Sequence, residues 1–242
     1  MKKLIAFTLA ETLVVIGIIG VVSALTLPNL NSSTGNKEKV AQVKKIYQNL
    51  NDAYGRAVAK YGPFQTWTIN DSTNPAKSTR IGERITEFMK VSKVCGVNVN
   101  EGCFPLHQKH KIRTGGQVSS SADEDGNAYK IITADGTSIK FNHDGSIMVD
   151  IDGPTKGPFQ LGSDVFSFEL GNNNSGFVPK GTNASLAGTL TFAQILSDLK
   201  NYGNNCTLWI IRYDNADYLQ FTDTSGTCKN GTVVTEANPR CK

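Results

Sequence analysis

The residues MKKLIAFTLAETLVVIGIIGVVSALTLPNL, Met1 to Leu30, decide how the rest of this 242-residue chain is read. Lys2 and Lys3 precede an apolar run whose one ionisable side chain is Glu11, and 18 of the 27 residues from Leu4 to Leu30 are apolar. A helix from Phe7 to Leu27 is about 32 Å long at 1.5 Å per residue, close to the hydrocarbon thickness of a bilayer. The run therefore has the length to cross a membrane once. With the two lysines at its near end and no comparable basic cluster directly after Leu30, the positive-inside tendency puts the N-terminus in the cytoplasm and the rest of the chain outside.

One alternative is an ordinary secretory signal peptide, for which Val22-Ser23-Ala24 supplies a small-residue cleavage site. The product would be a secreted or signal-anchored extracytoplasmic binding protein, cut after Ala24. Two features argue against it. The apolar run continues past that cut to Leu30, longer than the roughly 7–15 residues usual for such peptides. Glu11 also places a carboxylate in the apolar stretch, at a cost of about 3 kcal/mol on insertion scales. A segment that is only an address has no use for that cost.

Phe7-Thr8-Leu9-Ala10-Glu11, preceded by Lys2, Lys3 and Ala6, resembles the cleavage and methylation segment of type IV prepilins and type II secretion pseudopilins. The family usually has Gly before the cut, where this chain has Ala6. The resemblance implies that a membrane-embedded prepilin peptidase cuts between Ala6 and Phe7 and methylates the new amine, making Glu11 the fifth residue of the mature chain. It also implies a helix-loosening proline at Pro28. Residues 1–6 are then a leader peptide, 7–30 a transmembrane and assembly helix, 31–62 its amphipathic continuation, and 63–242 an extracytoplasmic head. The implied partners are other pilin-like subunits in a homo- or hetero-oligomeric filament, the peptidase, an inner-membrane assembly platform and, before assembly, the membrane itself. The location that follows is a single-pass inner-membrane protein that passes into a periplasmic or surface filament.

The remaining composition is ordinary. At 39% hydrophobic and 19% charged, the chain is neither disordered nor polytopic, and its length suits one domain or two small ones. Twenty-five basic against 21 acidic residues leave +4, too weak and scattered for a nucleic-acid partner. There is no G-x-S-x-G, no H-E-x-x-H and no phosphate-binding glycine loop, so the expectation is a structural protein rather than an enzyme.

The fold expected is α+β, with the long N-terminal helix packed on an antiparallel head sheet in the pilin manner. Asn31 to Asn36 is polar, and Gly35 is placed to loosen or interrupt the helix. Val40, Val43, Tyr47, Leu50, Tyr54, Ala57 and Tyr61 then recur at helical spacing up to Gly62-Pro63. A second helix is expected from about Ile81 to Val91, and a third from Phe192 to Tyr202. Strands are expected at Ala128 to Thr133, Thr137 to Phe141 and Ser146 to Asp152, punctuated by Asp135-Gly136 and Asp144-Gly145, with others at Val165 to Leu170 and Leu208 to Tyr213. The Gly-, Ser- and Asn-rich segments 63–80, 114–127 and 171–189 read as loops.

Asp150, Asp152 and Asp164 are candidate calcium ligands, since a loop of hard oxygen donors is what that cation takes. Their spacing is not that of an EF-hand, and Asx turns are the plainer reading. No other cofactor is expected. Cysteines 95, 103, 206, 228 and 241 all follow the apolar segment, in a compartment where pairing is the default. Cys95 with Cys103 closes a short loop; Cys206 with Cys228, or Cys228 with Cys241, leaves one thiol over. Zinc held by Cys95, Cys103, His107 and His110 is a further option, at a spacing that fits no common zinc pattern.

Overall fold

The computed structural model describes residues 9–118, 121–171, 175–182 and 190–241, with the side chains of Glu11 and residues 23–34 also outside the described set. The leader 1–6, Ala6 and Phe7 lie outside it, as do the side chains of Glu11 and Pro28. The chain divides into two compact units, Met1–Glu38 and Lys39–Lys242.

Helix α1 runs Leu9–Tyr61 without a break, so neither the polar stretch 31–36 nor Pro28 ends it. From Lys39 onward its path is set by burial. Val40, Val43, Ile46, Leu50, Ala53, Tyr54 and Ala57 are buried, while Tyr47 and Tyr61 are half-buried against the same core. Each large apolar side chain buried contributes roughly 1.5–3 kcal/mol, whereas helix propensities differ by about 0.7 kcal/mol or less among ordinary residues. Packing therefore decides which face turns inward.

The surface that receives this half of α1 is a six-stranded antiparallel meander, in the order β1 (Val91–Gly96), β2 (Tyr129–Thr133), β3 (Ser138–Phe141), β4 (Ile147–Asp150), β5 (Val165–Leu170), β6 (Phe177–Pro179). Register aligns Ile131, Ile139, Val149 and Phe166 in one row across β2 to β5, all four buried in the core that also holds the α1 residues. Strand alternation sends the neighbouring positions to the other face. There Met148 and Val165 pack with Phe104, Phe159, Leu161 and the Cys95–Cys103 disulfide in a second, smaller core. The expected strands at Ala128 to Thr133, Thr137 to Phe141, Ser146 to Asp152 and Val165 to Leu170 are present within one or two residues.

β1 and β6 were not legible as strands. β1 is mostly exposed and broken by two register shifts, so it carries no clean alternation. β6 has three residues inside an Asn- and Gly-rich stretch, and its outer edge is closed by a side chain: Asn51 of α1 donates to the Phe177 carbonyl at 3.0 Å and accepts from the Phe177 amide at 2.8 Å. That amide group stands in for a further strand and blunts an otherwise open edge.

Three expectations about the segments around the sheet need correction or adjustment. Leu208 to Tyr213 is not a strand but part of helix α4 (Cys206–Tyr213), because its buried positions, Cys206, Thr207, Trp209 and Ile210, follow helical spacing. β5 already has strands on both sides, and the Thr207 hydroxyl accepts the Ser167 amide, so a helix, not another ladder, covers this end of the sheet. The second helix, α2, is Asn74–Thr86, earlier than Ile81 to Val91; Thr73 caps it and Pro75 sits in its first turn. Segment 63–80 is accordingly no simple loop, holding a short 3-10 turn at Phe64–Thr66 and the first half of α2. Ile81 and Ile85 of α2 are buried as expected, and Gly82 lets Tyr129 approach so closely that a Cβ there would lie 2.1 Å from its ring. Helix α3 (Phe192–Asn201) starts in a capping box made by Thr191 and Gln194.

Candidate functional site

Two features of the chain invite a functional reading, one in each unit. In the first, Leu13, Val14, Val15 and Ile16 are consecutive and so point to all sides of α1, yet they are 62%, 61%, 52% and 66% exposed. Ile18, Ile19, Val21 and Val22 continue the pattern. A helix apolar all round belongs in a membrane or among other helices. Among the described residues no helix is long and apolar enough to cross a membrane; of the expected span 7–30, the side chains described are Leu9, Ala10 and residues 12–22.

In the head, the three aspartates singled out from the sequence come together. Asp150 ends β4, Asp152 follows it in the turn, and Asp164 precedes β5 after a loop that folds back. One carboxylate oxygen from each lies within 4.8 Å of the others. Asp164 is buried and held by backbone, its two oxygens accepting the amides of Phe159 at 2.5 Å and Gln160 at 2.6 Å. The Ile151 amide in turn donates to the Asp164 carbonyl at 2.9 Å, which fixes the two strand ends. Gly153 permits the turn: its φ is +82°, and a Cβ there would sit 2.4 Å from the Gly136 carbonyl oxygen.

Asp150 is in a different state. It is wholly buried, and its carboxyl group meets that of Asp152, whose Oδ1 is buried as well. Burial, then the close approach of Asp152 and the charges of Asp164 and Asp152, push the Asp150 carboxyl up to about 9. Burial also raises Asp164, against the pull of its two backbone donors. None of the ion pairs among the described residues involves the three. Lys39 of α1 lies within their field, its ammonium weakened by burial and favoured in turn by Asp164 and Asp152. A fourth polar group went unnoticed in the sequence. Ser138 on β3 stands directly opposite Asp150, is wholly buried, and its hydroxyl has no partner. The Asp144-Gly145 turn held the signal, since a hairpin closed there pairs Phe141 with Ile147 and hence Ser138 with Asp150.

The cysteines are settled within the head. Cys95 is bonded to Cys103 and Cys228 to Cys241, leaving Cys206 as a buried free thiol whose burial raises its pKa. The first bridge removes both thiolates from the zinc set, and His107 pairs with Glu124 at 2.7 Å instead. His110 packs edge-on against Phe159, its Nδ1 buried and unpartnered. Burial, with Lys140 and Lys180 nearby, lowers its pKa to about 4. The unfolded chain therefore takes up a proton below about pH 6.5 that the folded head refuses until about pH 4, so stability is full above that window and falls as pH drops through it. Guanidinium unfolding at pH 7 and pH 4.5 is expected to differ by roughly 2 kcal/mol through this group, and His110→Gln to flatten that slope. An unchanged slope in the variant would assign the pH dependence elsewhere.

Comparison of the chain with protein-family models, with curated proteins and with solved structures gives no match.

Proposed function

We propose that the chain is a structural subunit of a type IV pilus-like or type II secretion pseudopilus filament, cut by prepilin peptidase before Phe7 and assembled through its N-terminal helix. The observation that carries the reading is the change of character along α1. From Leu9 to Val22 it is apolar on every side and exposed, whereas from Lys39 it is one-sided and packed on the head's own sheet. The first half needs an external apolar surround, supplied by lipid before assembly and by neighbouring helices after it. The second half needs none. The N-terminal lysines, the cut site, Glu11 and Pro28 fall in the register that such a subunit uses.

The work of this protein is thus assembly, with heads carried outside the membrane and the apolar halves bundled at the filament axis. Two disulfides suit such a head, whose share of apolar residues is below the 39% of the whole chain and which sits in an oxidising compartment. Alkaline washing of membranes from expressing cells tests the anchoring. The chain is expected in the pellet before assembly; recovery in the soluble extracytoplasmic fraction would instead support secretion after a cut at Ala24.

A further inference from the structure

We propose that the cavity between α1, the β2–β3 turn and the start of β1 binds a small aromatic carboxylate. Its volume is about 410 Å³, inside the roughly 300–1,000 Å³ range of small-molecule sites. Lys45, Ile46, Asn49 and Asp52 line it from one face of α1. The other walls include Phe88, Met89 and Lys90, which join α2 to β1, and Asp135 in the turn. All of these belong to the head unit. Ile46 and Ile139 of the lining are buried in the main core, and the half-buried side chains of Phe88 and Met89 pack against it. A phenyl ring and a thioether are groups on which a flat aromatic body packs well.

The polar groups around the cavity select the charge of the occupant. Lys45 is paired with Asp135 at 2.7 Å, and the Thr133 hydroxyl donates to the same carboxylate at 2.5 Å. Asp52 is paired at 3.6 Å with Arg56, whose guanidinium also stands 5.4 Å from the centre of the Phe88 ring. Both lining carboxylates therefore have a cation already. The exposed Lys90 ammonium and Asn49 carboxamide are left over, with no side-chain hydrogen bond or ion pair among the described residues. An ammonium offers donors and no acceptor, and a carboxamide adds two donors more. Lys45, Arg56 and Lys90 also outnumber Asp52 and Asp135, so the mouth is positive on balance. An aromatic body with an anionic end meets both the apolar lining and the unused donors, whereas an organic cation meets its own sign of charge. This site concerns the head alone and is independent of the filament reading.

The test follows the methionine methyl groups of the isotope-labelled full chain in detergent by nuclear magnetic resonance. The sequence holds three methionines, Met1, Met89 and Met148. Met89 lines the cavity, whereas Met148 lies in the second core on the other face of the sheet, and Met89→Leu assigns the signal that matters. Sodium naphthoate is expected to move the Met89 signal saturably and leave Met148 in place, with a Kd of about 1 mM or below. Naphthylmethylamine, the same body with the opposite charge, should bind about threefold more weakly or worse. Lys90→Glu, at an exposed position, should weaken naphthoate about tenfold and reverse the preference between the two probes. Ala134→Phe, also exposed and on the cavity wall, should fill the space and abolish the shift. An unmoved Met89 signal at ten times the expected Kd, a shift of Met148 as large as that of Met89, equal binding of the two probes by the parent, or an unchanged preference in Lys90→Glu would overturn the proposal.

Discussion

Glu11→Ala is expected to enter the membrane as well as or better than the parent chain and to fail to enter filaments. In the proposed assembly the carboxylate of Glu11 lies among stacked apolar helices, where a lone charge is strongly disfavoured. The cut before Phe7 creates an amine four residues away. A neighbouring subunit displaced by about 6 Å along the axis brings that amine level with Glu11, and the pair neutralises both charges. Removing one partner of a buried pair leaves the other uncompensated, at about 3–5 kcal/mol for each subunit junction. Repeated along a filament, such a loss is decisive. Glu11→Gln, which keeps the size and discards the charge, should fail in the same way. Electron microscopy and shearing of filaments read the result; normal incorporation of either variant would refute the pairing.

The largest effect on the head is expected at Trp209. Its side chain is wholly buried on α4, with ring centroids 4.6 Å from Tyr213, 5.5 Å from Phe221 and 6.0 Å from Phe192. Its indole N–H donates to Oδ1 of Asn215 at 2.8 Å, and Asn215 in turn ties down the C-terminal segment through the Pro239 carbonyl. Trp209→Ala removes a large aromatic from a site enclosed on several sides, and such truncations cost about 3–5 kcal/mol. Against a total stability of about 5–15 kcal/mol, that is a large share. Trp209→Phe keeps most of the packing and loses the hydrogen bond, and Asn215 Oδ1 still receives the Asp217 amide at 2.9 Å, so a cost of about 1–2 kcal/mol is expected. Denaturant unfolding of the three proteins checks both the size and the order of these effects.

What could be read from the chain follows from how local each signal is. The central meander was legible because Asp135-Gly136 and Asp144-Gly145 punctuate alternating runs, and hairpin pairing needs only neighbouring residues. The inward face of α1 was legible over 40–57 because one period runs through it. Leu208 to Tyr213 misled because a short apolar run fits a buried strand or a buried helix equally, and only the surface it meets decides between them. α2 was placed late because the apolar positions Ile81 and Ile85 outweighed the Thr73-Asn74-Pro75 start signal. Of the acidic site, the three aspartates were visible as types, but the burial of Asp150 and the approach of Ser138 depend on strand register and on a 13-residue return to Asp164. No local pattern encodes those.

The pivotal claim is that this chain is processed as a prepilin, and the N-terminal sequence of the mature protein tests it most directly. Fragmentation mass spectrometry of protein recovered from the membrane of cells carrying a prepilin peptidase should read Phe7-Thr8-Leu9-Ala10-Glu11, with a methyl group on the Phe7 amine. Losing Lys2 and Lys3 with the leader would also take the formal charge from +4 to +2 before the new amine is counted. A mature chain beginning at Leu25 would contradict the account, since it would have lost Glu11 and most of the apolar helix on which assembly depends.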